Sequence, residues 1–177
     1  MLRATFIAVL VTCGLSCSSA DPERTVTQSL PRMIARSGSA SLFGDGIRID
    51  LDPEARSGGR VTNVLLERVI LRIDAASPTQ TFDWADEIHI FVESTDADSQ
   101  LPRREVASAF VPRGLTELEL LPSARVPLLP YVREGAWLVS VEKRQPVSED
   151  VIVEGRVDYR ITIEPPPCRG LGASHRC

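Results

Sequence analysis

Lysine is nearly missing from this chain: Lys143 is the single example, against 19 arginines. Histidine is almost as scarce, with only His89 and His175, and aromatic residues make up 5% of the sequence. Each scarcity excludes something. A chain with a formal net charge of −4 and no basic block is a poor ligand for nucleic acid. Two widely separated histidines leave little material for a metal centre or a relay of general bases. Gly44-Asp45-Gly46 and Gly58-Gly59 do not lead into helical sequence, so no helix N-terminus is aimed at a phosphate. There is no G-x-S-x-G nucleophile motif. No apolar run reaches the ~20 residues that a membrane-spanning helix needs. No catalytic residue, cofactor or metal site is therefore expected.

What is present begins with an address. Met1-Leu2-Arg3 is a short positive start, Ala4 to Leu15 is mostly apolar, and the small residues Gly14, Ser16, Ser18, Ser19 and Ala20 follow. Positive charge, apolar core and small-residue site in that order mark a secretory signal peptide. Gly14-Leu15-Ser16-Cys17-Ser18-Ser19 resembles the lipobox of bacterial lipoproteins. The resemblance implies diacylation of Cys17, which becomes the new N-terminus, and a bacterial cell-envelope protein held to a membrane by lipid. Gly14 departs from the family pattern, which has Leu at that place. Cys13, after Leu10-Val11-Thr12, is a second candidate, and cleavage after Ala20 of Ser18-x-Ala20 is the alternative. The resemblance concerns processing and covers only about twenty residues.

Four cysteines are present. Cys13 and Cys17 belong to the address, so Cys168 and Cys177 remain, and in an exported chain a disulfide between them is expected. With His175 they supply three metal ligands where structural zinc takes four. The expected organisation is a signal peptide over 1–16, a lipidated N-terminus and flexible tether over 17–38, a β domain over 39–164 and a Pro-rich, Cys-containing tail over 165–177.

The β domain is read from alternation. Ser39–Phe43, Gly44–Gly46 and Ile47–Leu51 predict a hairpin, and part of the tether near Val26–Ile34 predicts an edge strand. Val64–Asp74, Glu87–Glu93, Arg104–Val111 and Thr116–Leu120 predict strands. Pro127–Gly135 predicts a short helical turn, and Ala136–Arg144 predicts a strand with Trp137, Val139 and Val141 in the core. The clearest signal is Val151 to Glu164. Val151, Val153, Gly155, Val157, Tyr159, Ile161 and Ile163 fall on one face, with charges of both signs on the other, and Gly155 marks a bulge. Seven or eight short strands and no long helical pattern predict an all-β fold, an antiparallel immunoglobulin-like β-sandwich, with a closed barrel as the alternative.

Three functional readings follow. The first is a non-catalytic cell-envelope lipoprotein contacting protein or envelope polymer. The second is a secreted carbohydrate- or calcium-binding module, using Phe82 and Trp84 as ligand contacts and the acidic loop that contains Asp96 and Asp98; read by themselves, the two aromatics before a strand are expected to plug the sandwich end and the loop acids to be solvated. The third is a hydrolase, which requires His89 in a cleft against an acid and a hydroxyl.

Overall fold

The computed structural model describes residues 22–36, 41–50, 60–94, 96–123, 125–144 and 149–164. Cys17, the Cys168–Cys177 pair, the signal segment, the tail and the loop before Arg60 lie outside the described residues.

The fold is all-β and antiparallel. Its strands are β1 (Glu23–Ala35), β2 (Ile47–Arg48), β3 (Arg60–Ile73), β4 (Ala85–Glu93), β5 (Arg104–Phe110), β6 (Glu117–Pro122), β7 (Trp137–Arg144) and β8 (Val151–Glu164). They form one hydrogen-bonded sheet in the order β1-β8-β3-β6-β5-β4-β7-β2. The sheet doubles over at β6. Glu117 to Leu120 pair with β3, and Leu121 and Pro122 pair with β5. One β6 strand therefore serves both layers of a sandwich. Val69, Leu71, Val157, Tyr159 and Ile161 of one layer share a core with Ile88, Ile90, Val92 and Leu138 of the other.

On the side opposite β6 the layers end in β1 and β2. There the Gln28 side chain spans the gap. Its Nε2 donates to the Arg48 carbonyl at 2.8 Å, and its Oε1 accepts from the Asp50 amide at 3.1 Å and from the Tyr159 hydroxyl at 3.2 Å. A side-chain amide carries the same donor and acceptor as a peptide group, so it links two backbone edges that do not pair directly.

The alternation read over Val151–Glu164 holds along β8, with one exception. Asp158 belongs by parity to the wet face, yet it is 2% exposed. A bulge in β3 between Leu66 and Arg68 sets Arg68 opposite Asp158. The carboxylate accepts from Arg68 Nε at 2.6 Å and from Thr27 Oγ1 at 2.6 Å. Burial pushes this carboxyl up, but the hydrogen bonds of Thr27 and Arg68 and the charges of Arg68 and Arg156 outweigh it, and the group is held below the usual aspartate value.

Gly155 continues β8 instead of bulging it. The irregularity falls on the partner β1, between Leu30 and Met33. A Cβ on Gly155 would run into the carbonyl oxygen of Ile70, with Leu71 Cδ2 at 3.1 Å and Leu30 Cδ1 at 3.3 Å. Close approach of neighbouring backbone, not turn geometry, requires glycine here.

Three expectations are corrected. The edge strand expected near Val26–Ile34 is there but longer: residues 23–35 form the thirteen-residue strand β1 where tether was expected to continue, because Val26, Leu30, Met33 and Ala35 turn toward the core and the strand pairs with β8. The hairpin expected over 39–51 does not form among its described residues, 41–50. Residues 42–45 form turns, β2 is only two residues long, and its partner is β7. The amides of Leu42 and Phe43 are taken by the side chains of Glu142 and Ser140, which replaces a strand ladder. In β7 the inward face is the other one. Leu138 and Ser140 are buried on it; of the expected face only Val139 is buried, while Trp137 is half-buried and Val141 is exposed. Ser140 tolerates the core side because its hydroxyl meets Ser41 Oγ at 2.9 Å and accepts from the Phe43 amide.

The predicted helical turn is α1 (Leu129–Glu134), closed by Gly135 at φ 77° in the left-handed region.

Two predictions follow from this packing. Gly155→Ala is expected to lower stability by about 2 kcal/mol through strain against Ile70, read as a lower urea midpoint. Asp158→Asn is expected to cost about 2–3 kcal/mol at neutral pH. Because the folded carboxyl titrates below its unfolded value, its stabilisation is present above roughly pH 4 and is lost as pH falls through the lower folded value. Urea unfolding across acid pH checks this, and an acid limb unchanged by the substitution would overturn it.

Candidate functional site

The outer face of β7, β4, β5 and β6 gathers the side chains that the core does not use. Inward Ile88, Ile90 and Val92 place Glu87, His89, Phe91 and Glu93 outward on β4. On β5, a bulge opposite Ile90 and Phe91 puts both Val106 and Ala107 inside and so returns Glu105 to the outer face, opposite Phe91. Register then lays Val141, His89, Ser108 and Leu121 side by side across the four strands. Phe110 stands opposite Glu87, at the end of β5.

The centre of this face is a polar cluster. His89 Nδ1 lies 3.1 Å from Glu105 Oε2, and His89 Nε2 lies 3.4 Å from Glu87 Oε2. Ser123 Oγ donates to Glu105 Oε1 at 2.9 Å, and the Ser108 and Ser123 hydroxyls are 3.1 Å apart. Burial pushes the Glu105 carboxyl up, but hydrogen bonds from Ser123, Ser108 and His89 hold it below the usual glutamate value. The Arg103 guanidinium sits 4.4 Å from the centre of the Phe91 ring and reaches Glu93 at 3.5 Å.

Around the cluster the surface is apolar. Phe110 is 80% exposed, Leu121 62% and Val141 42%. The other exposed large apolar side chain among the described residues is Ile34, on β1. A hollow of about 290 Å³ is bounded by Glu87, His89, Ser108, Ala109 and Phe110.

The chemistry this arrangement can perform is limited by its order. A serine nucleophile needs its hydroxyl against the imidazole, with the acid behind. Here the carboxylate of Glu105 stands between the hydroxyl of Ser123 and His89. The two carboxylates meet opposite nitrogens of the ring, so they do not converge with it on one ion. Among the described residues no three His, Cys, Asp or Glu side chains are placed so that they could hold one metal ion.

Phe82 and Trp84 lie elsewhere and, of their two expected roles, take that of core plugs and not that of ligand contacts. Phe82 is fully buried and Trp84 nearly so, with ring centroids 6.1 Å apart. They plug the core and present no surface to a ligand. Asp96, in the acidic loop, takes the amide of Asp98 on its own carboxylate at 2.9 Å, a local turn contact. His89 was legible as an outward strand residue. Glu105, Ser108 and Ser123 were not, because a bulge and a change of sheet bring them to it.

No protein-family model and no curated protein matches the chain. Among solved structures it is similar to a chain of one titled "nora virus structure", at 10% identity and a TM-score of 0.33, over 99% of this chain and 70% of that one. A likeness of that degree carries no argument about fold family or function.

The contrast between the two phenylalanines is testable. Phe110→Ser is expected to change stability by less than about 0.5 kcal/mol, whereas Phe82→Ala is expected to cost about 3–5 kcal/mol. Thermal and urea unfolding of the two variants checks the assignment.

Proposed function

We propose that the chain is a non-catalytic cell-envelope lipoprotein, anchored through Cys17, whose sandwich contacts envelope protein through the outer face of β7, β4, β5 and β6. The observation that carries the contact is the exposure of Phe110, Leu121 and Val141 on one sheet face. Clustered exposed apolar groups of this size mark interaction surfaces more than ordinary solvent-facing strands do. The lipobox-like Gly14-Leu15-Ser16-Cys17 supports the anchor. The alternative module that binds carbohydrate or calcium loses the two aromatic contacts on which it rested, since Phe82 and Trp84 are buried.

Anchor and contact are tested separately. Intact mass of the membrane fraction is expected to show a species that starts at Cys17 and carries acyl mass, and Cys17→Ser is expected to abolish it. A soluble species starting at Asp21 would overturn the anchor. A photoreactive residue placed at position 110 is expected to give a discrete adduct in cells, and one placed at position 160, on the opposite layer, is not. Equal adducts from both positions would overturn the contact.

A further inference from the structure

The two outer faces treat their acids differently. On the β1-β8-β3 layer the chain's own arginines meet the carboxylates. Arg160 reaches Glu67 at 2.9 Å, Arg68 reaches Asp158 at 2.6 Å, Arg72 reaches Glu117 at 2.6 Å and Arg32 reaches Asp74 at 3.0 Å. On the other layer Arg103 is turned to Phe91 and Glu93. Register places Lys143 opposite Glu87. Glu105 is met by His89, Ser108 and Ser123, and by no arginine among the described residues. An arginine-rich chain thus leaves Glu105, on its most apolar outer face, to hydroxyl and imidazole partners among the described residues.

We propose that this face docks a protein segment carrying an arginine or lysine flanked by apolar side chains. The cation meets Glu105, and the apolar groups seat against Phe110 and Leu121 and in the hollow beside His89. Charge-assisted contacts to a carboxylate suit guanidinium best, and the exposed Phe110 ring, opposite Glu87 further along the face, accepts an apolar group. The sign of the charge argues against two other occupants. A second copy of this acidic chain would bring its own Glu105 to the same patch, and an anionic polymer would be repelled by it. The inference rests on the contact reading above and is independent of the anchor.

The test pans a random peptide library on the full chain, with subtraction on Phe110→Ser. Enriched peptides are expected to carry Arg or Lys between apolar residues. A selected peptide is expected to bind about tenfold more weakly to Glu105→Gln, the loss of one charged hydrogen bond. Glu105→Arg is expected to shift selection toward acidic peptides. Enrichment that depends on Phe110 but is indifferent to charge overturns this inference while leaving the contact reading standing. No enrichment over Phe110→Ser overturns both. Self-association in sedimentation that Phe110→Ser abolishes overturns it in favour of a second copy. Circular dichroism of each variant confirms that binding changes do not arise from unfolding.

Discussion

The pairing of β8 along both of its edges is the constraint on which the rest of the molecule depends. β1 covers one edge from Val151 to Thr162, and β3 covers the other from Val153 to Glu164. With both edges bonded, the parity of β8 is fixed, since a slip of one residue would send Tyr159 and Ile161 into water. That parity sets the inward faces of β1 and β3, and β3 positions β6. β6 in turn carries the sheet into the second layer. The charged contacts over this layer are mostly exposed and contribute little individually. Asp158 differs because it is buried, so its partners hold a charge that has no access to water.

The two layers have opposite surface economies of charge and apolar area. The β1-β8-β3 face is laced with arginine–carboxylate pairs and is satisfied within the chain. The β7-β4-β5-β6 face keeps hydroxyls, an imidazole and carboxylates in the middle of exposed Phe110, Leu121 and Val141. The difference originates in backbone irregularities. The bulge in β5 turns Glu105 outward, and the passage of β6 between layers brings Ser123 beside it.

Much of the fold could be read from period-two patterning, and the failures share a cause. β8 and β4 were legible because each carries apolar residues on one parity and polar ones on the other. β7 was misread because both parities carry apolar residues. Trp137, Val139 and Val141 outweigh Leu138 and Ser140 in bulk, yet Ser140 can be buried once Ser41 and Phe43 satisfy its hydroxyl. β1 was legible only in part, as an edge strand near Val26–Ile34 within a tether, because Pro22 and Pro31 interrupt the segment, whereas the strand absorbs Pro31 in its irregularity between Leu30 and Met33. The polar cluster was illegible beyond His89. Its members come from β4, from β5 and, in Ser123, from just past the end of β6, and the bulge in β5 erases the simple count of residues that would otherwise place Glu105.

The closing partner of the first strand is the last. Glu23 of β1 lies opposite Thr162, and Arg60 at the start of β3 lies opposite Glu164. Contacts so distant along the chain carry a large loop-closure cost and form slowly. The β4–β5 and β5–β6 pairs join neighbours in sequence and are free to form early, but the β1-β8-β3 layer cannot assemble until the final strand has been synthesised. During translation the N-terminal portion therefore has no native partner with which to complete its sheet. The topology builds a delay into maturation: β1 stays without its partner until β8, the last strand among the described residues, has emerged.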